Sequence, residues 1–253
     1  MVRWALGLVL TAAIASGLAA CAVVPRAAPN AATKRPPIFP SEVLTLQRFK
    51  LTLPIGEPLK PREIKQPALA SYQDAEFFFL DSTKTGVVFT APCGGVTTQG
   101  SNYPRSELRE MTADYQRAAW SADDGRHVMT LRQAVTHLPA VRPQVIAGQI
   151  HDTASDMMAI RLDGKKLFID HAGGPHGPTL TDDYHLGDVF TVEIVVENGH
   201  VKTSYNGRLV DDYPTQATGC YFKAGCYTQS NVSRGDQPDA YAQVVIYDLA
   251  ISP

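Results

Sequence analysis

Arg105, Glu107 and Arg109 occupy every second position of the stretch YPRSELRE. On a β-strand, side chains at i, i+2 and i+4 leave the same face, so this spacing sets two guanidinium groups and a carboxylate side by side. A guanidinium fork grips a carboxylate through parallel hydrogen bonds, and its hold strengthens as charge develops there. Two further stretches behave alike. In AGQIHD, Gln149 and His151 flank an apolar Ile150; in YFKAGCYTQ, Tyr221, Lys223, Tyr227 and Gln229 share parity if the backbone is extended throughout. These types add acid–base chemistry. An imidazole titrating near ~6.5 accepts a proton at neutral pH, while a phenol near ~10 acts chiefly as an acid unless neighbouring cations such as Lys223 and Arg105 favour its phenolate. Three strands that each present polar groups on one face make a groove for an extended polar ligand. Taken alone, RSELR is equally a surface ladder in which Glu107 pairs with both arginines.

Such rows require a sheet, and the chain is rich in strand signals. The segments FKLTLP, AEFFFLDS, GVVFTAP, HVMTLRQAV, MMAIRL, KLFID, FTVEIVVENG, HVKTSYNG, RLVDDYP and YAQVVIYDLAIS are short, β-branched or aromatic, and bounded by Gly, Pro, Asn or Asp. Asp163–Gly164, Asn198–Gly199 and Asn206–Gly207 read as hairpin turns that need positive φ. Helical periodicity is scarce, and only SEVLTLQRF and MTADYQRAA could give a turn or two of helix. With 253 residues, 44% of them hydrophobic, the chain can bury a sizeable core. The expected architecture is all-β, a sandwich or jelly roll of two antiparallel sheets.

In their order and separation, YPRSELRE, QIH and YFKAGCYTQ resemble the three signature blocks of alginate lyases of polysaccharide lyase family 7. FKLTLP, VVFTAPCGGVTT and AQVVIYDLAIS extend the similarity from Phe49 to the C-terminus. The resemblance implies a β-jelly roll with the active site on its concave sheet, no cofactor, no metal, and cleavage of 1,4-linked uronates by β-elimination. That reaction neutralises a carboxylate, removes the C5 proton and protonates the departing O4. By resemblance Arg105, with Gln149, neutralises the carboxylate. Tyr227 donates to the leaving oxygen, and the base is His151 or the same Tyr227, depending on the uronate epimer. Glu107, Arg109, Tyr221, Lys223 and Gln229 then bind substrate. Ile150 stands where the family's Ile goes with guluronate-containing substrates and its Val with mannuronate, so guluronate-containing blocks are the expected substrate; an endo mode of action is expected as well. Two other readings stay open: a lyase of the same fold acting on another polyuronate such as glucuronan, and a non-catalytic carbohydrate-binding module.

Residues 1–21, MVRWALGLVLTAAIASGLAAC, read as a secretion signal: a basic Arg3, an apolar stretch too short to span a membrane, then small residues. The ending LAAC resembles a bacterial lipobox, which implies lipidation of Cys21 and an outer-membrane lipoprotein; a soluble secreted protein is the alternative. Residues 22–40 read as a Pro/Ala-rich tether, with the domain at 41–253. Four of the 23 basic residues (Arg3, Arg26, Lys34 and Arg35) precede Ser41 while all 25 acidic residues follow it, leaving that domain at −6. This argues against nucleic acid, and a polyanion must be met by a local basic groove. A monomer is expected, with membrane contact only through the lipid. DHAGGPHGP, holding His171 and His176, has no carboxylate or cysteine spacing for a metal and is expected to be a mobile loop over the groove. Of Cys93, Cys220 and Cys226, the last two are about 20 Å apart if CYFKAGC is one straight strand, at ~3.3 Å per residue, and within reach if Ala224–Gly225 bends the chain. A Cys220–Cys226 bridge and a buried Cys93 thiol are expected.

Overall fold

The computed structural model describes residues 1, 2, 4, 35–171 and 177–252. Most of the signal segment with Cys21, most of the tether, and residues 172–176 with His176 lie outside them. One compact unit covers Pro36–Pro253. Its strands are β1 (Phe49–Glu57), β2 (Lys60–Ile64), β3 (Phe78–Leu80), β4 (Val87–Pro92), β5 (Arg105–Glu110), β6 (Arg126–His137), β7 (Gln144–His151) and β8 (Asp156–Asp163). They continue as β9 (Lys166–His171), β10 (Thr179–Thr181), β11 (Phe190–Glu197), β12 (His200–Tyr205), β13 (Arg208–Pro214), β14 (Tyr221–Thr228) and β15 (Tyr241–Ser252). An eight-stranded sheet runs β10-β9-β8-β7-β14-β5-β1-β2, and a seven-stranded sheet runs β13-β12-β11-β6-β15-β4-β3. All recorded pairings are antiparallel, giving the expected jelly-roll sandwich.

The two sheets differ in burial, and the difference locates the groove. On β11, Phe190, Val192, Ile194 and Val196 are buried while the residues between them are not, as expected of a strand with one wet face. On β5 and β14 almost every residue is buried. Their even-numbered side chains, Leu108, Phe222, Ala224 and Cys226, fill the core, while Arg105, Glu107, Arg109, Tyr221, Lys223 and Tyr227 take the opposite face. Polar side chains buried on a sheet's outer face need one another as partners.

Two turns behave as read: Asn198 and Gly199 take φ of 51° and 70°, and Asn206 and Gly207 take 49° and 80°. The third lies one residue further on, at Gly164–Lys165, because Asp163 pairs with Lys166 in the ladder and Gly164 alone takes the positive φ, 58°. The helical expectations do not hold. SEVLTLQRF yields only a 3-10 turn at Pro40–Glu42, because Leu44 and Leu46 are drawn as an alternating pair into the core. In MTADYQRAA the Thr112 hydroxyl accepts the Gln116 N–H and Met111 bridges Arg117, so local side-chain bonds displace a helix. The Cys220–Cys226 bridge is also absent: both are free, buried thiols, as is Cys93. Gly225 does adopt a special φ of 138°, but it forms a bulge inside β14 without folding the strand back. Burial pushes the Cys220 thiol up to about 12.

Candidate active site

Strand register assembles the site. On β5 and β14, Arg109 faces Lys223 and Arg105 faces Tyr227; on β14 and β7, Lys223 faces Gln149 and Tyr221 faces His151. Lys50 on β1 continues the row opposite Arg109. The three blocks noted in the sequence thus become neighbours across the floor of a groove of about 780 Å³. Arg105, Arg109, Gln149, His151, Tyr221, Lys223 and Tyr227 all line it.

Arg105 lies flat over the Tyr227 ring, its guanidinium carbon 3.7 Å from the centroid. Its Nη2 donates to Ser101 Oγ at 3.0 Å, and that hydroxyl lies 2.9 Å from the Tyr227 hydroxyl. A carboxylate-binding fork and a phenol therefore share one small network. Arg109 lies likewise over Tyr221 at 3.8 Å and donates to the backbone carbonyls of Glu110 and Ala118. Tyr221 in turn stacks on His151 at 5.2 Å with a 13° interplanar angle.

His151 Nδ1 donates to the Asp152 carbonyl at 2.8 Å, which leaves Nε2 as the lone-pair nitrogen of the neutral ring. Burial, helped by the Lys223 charge and opposed by that hydrogen bond, pulls the imidazole below its ordinary 6.5. Burial and the Arg105 charge bring Lys223 down to about 8. Burial pushes the Tyr221 phenol up. At neutral pH the floor thus carries cationic Lys223 and a neutral base at His151.

Two residues expected to touch substrate do not line the groove. Glu107, only 2% exposed, lies beneath its floor and accepts from Arg105 Nη1 at 3.1 Å, from Gln149 Nε2 and from Lys223 Nζ. Burial alone would raise its carboxyl, but Lys223 and Arg105 outweigh it and hold the group below the usual carboxylate range. Gln229 follows the end of β14, is buried, and donates to the Thr228 carbonyl. The parity argument reached it only because it took the strand one residue too far.

Sequence reasoning missed Lys50 and Ser101. Lys50 is 5% exposed, lines the groove and pairs with Glu63 of β2. Its signal was present as a lone cation between Phe49 and Leu51, two core residues of FKLTLP. Ser101 sits in a loop, where no periodicity marks it. His171 joins no metal cluster; its Nε2 is 2.7 Å from the Asp211 carboxylate. No group of metal-ligating side chains occurs among the described residues.

Comparison with known proteins agrees with this geometry. The alginate lyase family model matches residues 44–253. An alginate lyase of polysaccharide lyase family 7 shares the fold with a TM-score of 0.82 at 48% identity, over 85% of this chain and 99% of that one. The alginate lyase from Corynebacterium sp. gives 0.83 at 44% identity, over 86% and 99%. An alginate lyase from Klebsiella pneumoniae is 27% identical over 283 residues, 83% of this chain and 90% of its own length. An ordered set of motif blocks, a two-sheet jelly roll that brings them together, and a family match over nearly the whole compact unit lead to one conclusion: this chain belongs to the alginate lyases of polysaccharide lyase family 7.

Proposed function

We propose that this lyase cuts alginate internally, at guluronate-containing blocks, by β-elimination in the groove of the eight-stranded sheet. The observation that carries the reading is the Arg105–Ser101–Tyr227 network, which holds a carboxylate ligand and a proton-handling hydroxyl within hydrogen-bond distance of one serine. Arg105 and the Gln149 amide neutralise the uronate carboxylate. The C5 proton leaves to His151 Nε2 or to Tyr227, and Tyr227 protonates O4 as the bond breaks. Charge accumulates on the carboxylate in that step, so fixed donors there favour the transition state over the ground state.

Internal cleavage suits the length of the groove. Its lining runs from β2 through β1, β5, β14 and β7 to β8, roughly 24 Å at ~4.8 Å per strand, room for several sugars. Guluronate preference rests on Ile150. Its side chain is fully buried in the core, opposite Phe222 and Met158, and faces away from the groove. Its influence must pass through the strand it anchors, which carries His151. Ile150→Val should therefore lower stability by about 0.5–1.5 kcal/mol and raise the polymannuronate rate relative to polyguluronate. Initial rates on the two block polymers at equal uronate concentration and matched salt test both the preference and the lever. Faster cleavage of polymannuronate by the wild type would overturn the preference. A steep early fall in viscosity marks internal cutting, and slow release of small products without it would exclude it.

The pH profile follows from the two displaced groups. A neutral His151 accepts a proton, so kcat/KM should rise with pH through a value below 6.5. Lys223 must be charged to attract the polyanion, so the profile should fall as pH rises through about 8. An acid limb above the ordinary imidazole value would remove His151 from the role of base.

Attachment to the outer membrane through lipidated Cys21, and a monomeric state, are proposals supported by the sequence alone. Labelling with a radioactive fatty acid, lost in Cys21→Ser, tests the first; sedimentation tests the second.

A further inference from the structure

We propose that Glu107 is the positioning residue of this reaction. Its carboxylate, buried under the groove floor and out of contact with substrate, orients the Gln149 amide and the Arg105 guanidinium and keeps Lys223 charged. The inference rests on the roles given above to Arg105, Gln149 and Tyr227.

A carboxylate in the site of a polyanion needs an explanation, because it repels the ligand. Contact with substrate does not supply one: Glu107 is absent from the groove lining, and both its oxygens are engaged. Its three partners come from three positions that must act together. Gln149 Nε2 gives one of its two N–H groups to Glu107 Oε1, so a flipped amide would set two acceptor oxygens against each other. The second N–H stays available to a uronate carboxylate. Arg105 is held at both ends, Nη1 by Glu107 and Nη2 by Ser101, which fixes the plane that lies over Tyr227. The Lys223 ammonium reaches over from β14 and pairs directly with Glu107 Oε2.

Glu107 also sets the charge of the floor. Lys223 is faced from β5 by Arg105, Glu107 and Arg109, from β7 by His151, and along its own strand by Tyr221 and Tyr227. Glu107 is the one acid among these groups. Without it, two buried cations oppose each other, and Lys223 is the one that can shed its proton.

Kinetics of Glu107→Gln and Glu107→Asp across pH, beside their thermal midpoints, test the role. Glu107→Gln should lower kcat on the order of 10²-fold, the cost of misplacing reacting groups by about an ångström. Its alkaline limb should move to lower pH, and below that limb, where Lys223 is still charged, its KM should stay level or fall because the floor has lost an acid. Glu107→Asp keeps the charge but loses reach, so kcat should fall while the alkaline limb stays with wild type. A raised KM with unchanged kcat in Glu107→Gln would make Glu107 a substrate ligand. A lowered midpoint with unchanged kcat and limb would make it merely structural. Either result overturns the proposal. If Glu107→Gln does not fold, Glu107→Asp decides alone: reduced kcat with a wild-type alkaline limb supports the role, and wild-type kcat refutes it. Tyr227→Phe is scored separately, so failure of the proposed chemistry and failure of Glu107 as its organiser are distinct outcomes.

Discussion

Tyr227→Phe is expected to lower kcat by about 10³-fold, within the range of a lost general acid or base, and to leave KM close to wild type. The substitution deletes one oxygen. It keeps the ring under the Arg105 guanidinium and the edge contact with Tyr103 at 6.4 Å, so the groove retains its shape and charge. The hydroxyl is asked to move protons in the chemical step, and an interaction confined to the transition state is read in kcat. Steady-state rates from the ultraviolet absorbance of the unsaturated product check this. A raised KM with unchanged kcat would move Tyr227 into a binding role.

Arg105→Ala should cost on the order of 10²–10³ in kcat, comparable to losing a donor to a developing oxyanion. Arg105→Lys should restore little. An ammonium cannot reach Ser101 and Glu107 from one rigid plane while covering a phenol ring, as the guanidinium does. Rates for both variants beside wild type decide the matter. A loss below tenfold in Arg105→Ala would pass the role to Arg109 or Lys223.

Much of this site was legible because β-strands have a period of two. Alternation in RSELRE and YFKAGCYT placed Arg105, Arg109, Lys223 and Tyr227 on one polar face from sequence alone, and the opposite face of those strands, with Leu108, Phe222 and Cys226, is core. Parity could not distinguish a residue that faces the groove from one that supports it. Glu107 has the same parity as Arg105, and only the paths of three side chains reveal that it lies underneath. Alternation also fails at strand ends, as with Gln229, and in loops, as with Ser101. Gly225 misled for a related reason: a positive φ reads as a turn, yet inside a paired strand it makes a bulge, and the thiols of Cys220 and Cys226 stay apart. The short edge strands β2 and β10 carry little apolar alternation and were invisible, although β2 supplies the partner of Lys50.

Calorimetric titration of a guluronate oligosaccharide into the double variant His151→Asn, Tyr227→Phe, followed by chromatography of the same sample, asks whether the bond breaks in this groove. The expected result is saturable binding near wild-type affinity with the oligosaccharide recovered intact. Release of unsaturated products at the wild-type rate would place the chemistry elsewhere.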